Sequence, residues 1–199
     1  MKRLLDVIKL LTSQNVVLRG HDETPNSNNS GKCLAVLYFL AKYDPIINSH
    51  LSSLLNNPKS VSYLAHDVQN EFISLMVKHV RNQIVAEIKA STYYGIMFYP
   101  TSDISHSAQL SEVIRYVKID YNTSTVDIRE AFSDFITIDK KDAVAYEHVI
   151  RSKLQVDTLN FDDCRSQMYD NAAVMSGYLI GVQARLVDKN PKAAFCQLL

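Results

Sequence analysis

The chain has no tryptophan, and its 199 residues include only 5 glycines, 5 prolines and 3 cysteines. Glycine and proline this sparse exclude a collagen-like or linker-rich chain. Cys33, Cys164 and Cys196 are odd in number and far apart, which excludes a disulfide framework and any paired-cysteine zinc spacing; they read as reduced, partly buried thiols. The histidines at 21, 50, 66, 79, 106 and 148 are equally scattered and lack the spacing of a zinc helix. There is no excess of one charge, since 21 basic residues balance 21 acidic ones. No global field therefore favours DNA, RNA or an anionic membrane, and a DNA contact would have to be local. No apolar run approaches the roughly 20 residues of a membrane span. Met1–Leu11 is broken by Lys2, Arg3, Asp6 and Lys9, unlike a secretory signal. The expectation is a soluble, intracellular protein without a membrane partner.

What is present is a chain with 47% hydrophobic residues, enough for a substantial core. Residues 1–90 read as a helical region. Leu4, Leu5, Ile8 and Leu11 form a first apolar stripe, and the polar stretch Arg19–Gly31 connects it to Lys32–Tyr43, with Leu34, Leu37, Tyr38 and Ala41 at helical spacing. Pro45 separates a further helix ending near Leu55, and Asn56–Ser60 breaks the pattern. From His66 to Lys89 a long amphipathic helix is expected, with Val68, Phe72, Leu75, His79, Gln83 or Ile84, and Ile88 on its apolar side. Its basic cluster Lys78, His79 and Arg81 reads as a solvated face.

The pattern changes at Ser91. Thr92–Tyr99, closed by Pro100, suits a buried strand, and Leu110–Tyr121 a second. Val126, Ile128, Phe132, Ile136 and Ile138 share one parity, which predicts a long third strand with that side buried; Glu130 breaks the parity and marks an edge or bulge. Asp142–Leu154 follows as a helix with Ala143, Tyr146, Ile150 and Leu154 inward, and Thr158–Met168 supplies a shorter strand. Ala194–Leu199 begins another.

Connection lengths then dictate topology. In a three-strand meander, strands one and three run the same way, and the helix after strand three returns strand four parallel to them, beside strand one. The ends of strands one and four, at Tyr99 and near Asp170, then open at one edge of the sheet. Residues 91–199 thus read as an incomplete α/β fold of the RNase H-like kind: three-strand meander, helix, strand, helix. Beyond strand four, Ala172, Met175, Leu179, Val182 and Leu186 form one apolar helical stripe, from which Gln183, Arg185 and Asp188 fall away. Asp170 or Asn171 is the natural N-cap of that helix, and a carboxylate there needs no further role. A metal-ligating role for Asp170 is the alternative.

Met168-Tyr169-Asp170-Asn171-Ala172-Ala173-Val174-Met175-Ser176-Gly177 and Gly181-Val182-Gln183-Ala184-Arg185-Leu186 resemble the transposase-derived domain of hAT-like proteins, as in the zinc-finger MYM-type and THAP-type domesticated proteins. Leu18-Arg19-Gly20-His21-Asp22-Glu23, Ala41-Lys42-Tyr43-Asp44-Pro45 and Asp67-Val68-Gln69-Asn70-Glu71 fit the same family, so the resemblance covers nearly the whole chain. It implies an ancestral nuclease using Mg²⁺ or Mn²⁺ between three acids, and a nuclear setting. Of those acids only Asp170 matches. The acid that ends the family's first strand is here Tyr99, in Tyr99-Pro100-Thr101-Ser102-Asp103-Ile104-Ser105. A phenol with an ordinary pKa of ~10 offers no carboxylate to bridge two hard cations. Asp103 matches a later acid of that pattern but is displaced by several residues. The third acid lies on a helix beyond Leu199.

The resemblance therefore implies a truncated, catalytically inactive domain that needs no cofactor, with Asp170 as a vestigial catalytic acid able to bind Mg²⁺ only weakly. The alternative is a nuclear regulatory module that binds a protein, a second copy or DNA, using the Val68–Ile88 face. Truncation would also leave a sheet edge and an apolar face uncovered.

Overall fold

The computed structural model describes residues 1–20, 29–57, 62–102, 108–170 and 172–197. Its residues divide into two compact units, Met1–His79 and Val80–Leu199.

The first unit is helical. α1 (Lys2–Ser13) buries Leu4, Val7, Ile8 and Leu11, the expected stripe with Val7 in place of Leu5. α2 (Lys32–Ala41) buries Cys33, Leu34 and Leu37, whereas Tyr38 is exposed. α3 (Pro45–Asn56) starts where chemistry dictates: Pro45 occupies the first turn, where its missing N–H is no loss, and Asp44 caps it by accepting from the N–H groups of Ile46 and Ile47. Ile47 and Leu51 join the α1 and α2 residues in one core.

The long helix α4 (His66–Ala90) forms as expected, with its buried stripe displaced. Phe72, Ile73 and Met76 pack on the first core, and Ile84, Val85 and Ile88 on the second. Leu75 and His79 are exposed, a correction to the expected stripe. The residues 77–80 between the two sets are all exposed, at the place where the units divide.

The second unit contains a five-stranded sheet among the described residues, in the order β3-β2-β1-β4-β5. β1 (Tyr94–Ser102) and β2 (Ala108–Asp120) pair antiparallel, as do β2 and β3 (Thr125–Thr137). After α5 (Ala143–Val156), β4 (Cys164–Tyr169) pairs parallel to β1, and β5 (Ala194–Gln197) parallel to β4. Strand four thus returns beside strand one, as the connection lengths require. β1 begins two residues later than its sequence pattern, because Thr92 takes a left-handed turn with φ 68°. Pro100 does not end it. β4 pairs only as far as Phe98, so Pro100 lies where β1 has a neighbour on one side only, a place that tolerates a missing N–H.

β3 supplies the largest correction. The expected buried residues Val126, Ile128 and Phe132 are exposed. The bulge lies not at Glu130 but at Ser133: Val113 opposes Phe132 while Glu112 opposes Asp134. An extra residue reverses the parity of everything beyond it. Ile136, beyond the bulge, is therefore part-buried against the core, while the residues before it turn outward.

The core of this unit lies on one side of the sheet. Tyr94, Ile96 and Phe98 of β1 and Leu110, Ile114 and Tyr116 of β2 pack with Ile88 of α4 and with Tyr146, Ile150 and Leu154 of α5. Asp142 caps α5 through the N–H of Ala145 at 2.8 Å. The helix expected after strand four is in fact two, α6 (Ala173–Ser176) and α7 (Val182–Lys189). Gly177 and Gly181 make the break, closed by the Gly181 N–H donating to the Gly177 carbonyl at 3.0 Å. Met175, Val182 and Leu186 are buried as expected, but Leu179, between the glycines, is 83% exposed. Gln183 is buried instead, its amide donating to the Ser176 carbonyl at 2.6 Å. Cys33 and Cys164 are buried and Cys196 is exposed, and none is bridged. No helix among the described residues is long and apolar enough to cross a membrane.

Candidate functional site

The parallel pairing of β1 with β4 ends at Phe98 opposite Tyr169. Tyr99 follows that last pair on β1, which continues beside β2 to Ser102, and Asp170 follows it just past the end of β4, so the two positions lie next to each other at one end of the parallel pair. The topology brings together the two positions singled out from sequence. Their chemistry does not make a pair. The Tyr99 hydroxyl lies 3.8 Å from the Met97 sulfur, and its backbone carbonyl accepts from the Ser111 hydroxyl at 3.2 Å.

Asp170 accepts, through Oδ1, the Ala172 N–H at 3.3 Å. This is an Asx-type turn, which a side-chain carboxylate makes with the backbone two residues on. The N-cap position of α6 is Ala172, so Asp170 stands just outside the cap assigned to it from sequence. The Tyr146 phenol of α5 is held above its ordinary pKa, chiefly by burial and secondarily by the charge of Asp170. Asn171 and Asp103 lie outside the described residues.

Whether these donors suit a two-metal centre can be judged from their chemistry. Such a centre needs several hard oxygen ligands converging on the ions. Here one position holds a phenol beside a thioether, and the other a single carboxylate already engaged with the backbone. No group of three or more His, Cys, Asp or Glu side chains that could hold a metal occurs among the described residues. The described residues at this edge do not fit a two-metal site.

The positions behind the edge are firmly built. Tyr169 is buried and its ring stacks on Phe195 of β5, with centroids 6.3 Å apart. Gln167, also buried, donates to the carbonyls of Gln183 and Ala193 at 3.2 and 2.9 Å, while Asn190 donates to those of Phe161 and Cys164 at 2.6 and 3.0 Å. These amides lock β4, α7 and the approach to β5 to one another. Burial pushes the Cys164 thiol up to about 12, which leaves it unreactive at neutral pH.

A cluster on the core side draws in Arg81, which is ion-paired there instead of standing on the solvated face expected of Lys78, His79 and Arg81. Lys153 of α5 donates to Asp134 at 2.7 Å and stands 3.4 Å from Asp157 and 3.8 Å from Glu112. Arg81 of α4 bonds Asp157 and lies 3.1 Å from Asp134. Glu112 is fully buried on β2 and neither of its carboxylate oxygens has a hydrogen-bond partner. Burial raises its pKa to about 7 against the pull of Lys153. These residues are 81 to 157 in number and come from four separate elements, so no local motif announces them. Two cations among three acids constitute a closed ion-pair network, and its buried lysine makes it a structural knot rather than a cation site.

Comparison with known proteins agrees with the architecture. The family model described as "ZMYM1/FAM200, RNase-like domain" matches residues 1–181. Two proteins named "52 kDa repressor of the inhibitor of the protein kinase", from Mus musculus and Homo sapiens, are each 24% identical over 204 residues, covering 98% of this chain and 25% of their own length. The chain spans about a quarter of the length of these curated relatives.

Proposed function

Since the chain belongs to the ZMYM1/FAM200 RNase-like domain family, a transposase-derived group, we propose that it keeps the nuclease architecture without the nuclease chemistry and serves as a regulatory interaction module. The observation that carries this reading is that Tyr99, read as standing in place of an acid, and Asp170 each lie one residue beyond the last β1–β4 pair, Phe98–Tyr169. Asp170 is the surviving member of the ancestral acidic set, and its present work is the turn before α6. A lone carboxylate of this kind binds Mg²⁺ weakly and largely through water. No cofactor is needed for the role proposed.

The regulatory half of the proposal rests on surface chemistry. Between Gly177 and Gly181 the chain projects Tyr178, Leu179 and Ile180, exposed at 87, 83 and 77%. Three consecutive large apolar side chains in solvent, on a loop closed at its base, mark a protein contact more than a nucleic-acid one. The balanced charge of the chain supports the same choice. Relatives whose name denotes a repressor support a regulatory role. We further assign residues 1–90 to a helical region and 91–199 to the RNase H-like domain.

The experiment is plasmid nicking with Mg²⁺ or Mn²⁺. The expected outcome is no cleavage above the background of a heat-denatured control. Metal-dependent nicking that Asp170→Ala abolishes would overturn the catalytic half of the proposal.

A further inference from the structure

The side of the sheet opposite the α5 core carries a ladder of apolar side chains across β2 and β3. The register places Val113 against Phe132, Val117 against Ile128, and Ile119 against Val126. Val117, Ile119, Val126, Ile128 and Phe132 are between 39 and 69% exposed, far above what a covered sheet face shows. The Ser133 bulge adds Phe135 to the same face, opposite Ser111, with its ring centroid 4.8 Å from that of Phe132. Apolar cross-strand pairs at this density belong under cover.

One rung of the ladder is charged. Arg115 opposes Glu130 between the Val113 and Val117 rungs, with Nη1 3.5 Å from Oε1. The face is therefore apolar with a single neutral pair near its middle. A basic or an acidic partner finds no net charge to match there. A second copy does: a two-fold axis through the rung sets each Arg115 against the other copy's Glu130, so two reciprocal contacts form and no charge is left alone. Self-complementarity of this kind is what an isologous interface requires.

We propose that the exposed face of β2 and β3 is a two-fold interface between copies of this chain, centred on the Arg115–Glu130 rung. The inference is independent of whether the Tyr99–Asp170 edge has lost its chemistry. It also explains how an otherwise sticky face is tolerated, since the copy that covers it is always at hand.

Sedimentation velocity of the full chain from about 1 to about 100 µM tests it, a range that brackets a micromolar dissociation constant. The expected result is a reversible monomer–dimer equilibrium. Ile128→Lys should raise the dissociation constant at least about tenfold, with an unchanged far-ultraviolet circular dichroism spectrum because Ile128 packs on no core. Arg115→Glu and Glu130→Arg should each weaken the dimer. An equimolar mixture of those two variants should restore it, because each carries the charge that the other lacks. Mixing separates contacts between copies from the Arg115–Glu130 contact within one copy. A wild-type chain that stays monomeric throughout the range would overturn the proposal and leave the face to a different protein. So would a dimer indifferent to Ile128→Lys, or variants that fail to rescue each other.

Discussion

Glu112 shows how a single buried group sets a pH dependence. Its pKa is about 7 in the folded protein against 4.5 for the free side chain, because burial penalises its charge more than Lys153, 3.8 Å away, relieves it. With the folded value above the unfolded one, the native state holds the extra proton. The stabilisation is therefore complete below about 4.5 and is lost as pH rises through about 7. That difference corresponds to on the order of 3 kcal/mol. Glu87 acts in the opposite direction. Its carboxylate is held below the ordinary range by the hydrogen bond from Lys118 and then that from Tyr116, so its contribution is present above about 4.5 and lost on acidification. Urea unfolding at pH 5 and pH 7.5 should show greater stability at the lower pH, and Glu112→Gln should remove most of the difference. Equal stability of the wild type at the two values would count against a buried, protonated Glu112.

Elements in this chain are decided at a few backbone positions. A methyl group at Gly181 would sit 2.5 Å from the backbone nitrogen and oxygen of Gly177, and one at Gly177 would sit 2.4 Å from the Ala173 carbonyl. Neither obstacle is a side chain that can rotate away. Gly95 differs, because its added methyl meets the Ser166 hydroxyl at 2.1 Å, which a change of rotamer relieves. Gly181→Ala should therefore cost about 1–3 kcal/mol, as overpacking typically does, and lower the melting temperature by several degrees in a chain of this length. Gly95→Ala should cost less. Differential scanning fluorimetry of both variants checks the order, and the reverse order would mean that the Gly177–Gly181 closure is soft.

The same positions explain what could be read from sequence. The helices beginning at Pro45 and near Asp142 were legible, since a proline in the first turn and apolar residues at helical spacing are local signals. The β3 strand was legible but its buried side was not, because one bulge residue, Ser133, reverses every side chain before it relative to those after it. Leu179 falls on the apolar period of its neighbours, yet two glycines turn it outward, and periodicity does not see the turn. In the Arg81–Asp134–Lys153–Asp157 network only Lys153 and Asp157 stand at helical i,i+4 spacing; Arg81 and Asp134 come from distant elements, which no spacing rule anticipates.

At the scale of the molecule, the sheet order follows from how the chain is connected, and it fixes the candidate site before any side chain is considered. Two hairpin connections and one helical return oblige the ends of β1 and β4 to share an edge. The sheet order is intact with Tyr99 and Asp170 at this edge. Gln167 and the Tyr169–Phe195 stack hold β4 to α7 and β5 behind that edge, and Asn190 holds the start of β4. Family membership over residues 1–181 and an RNase-like sheet are thus compatible with a chain that has exchanged chemistry for contact.

In the function proposed above, Tyr99 is what keeps the position beside Asp170 from holding a hard cation. Titration of Mn²⁺ followed by calorimetry, on the wild type, Asp170→Ala, Tyr99→Asp and the Tyr99→Asp/Asp170→Ala double variant, tests it most directly. Tyr99→Asp should tighten binding at least about tenfold, Asp170→Ala should remove the gain, and Asp170→Ala alone should change little. Tight, Asp170-dependent Mn²⁺ binding by the wild type, or no gain from Tyr99→Asp, would contradict it.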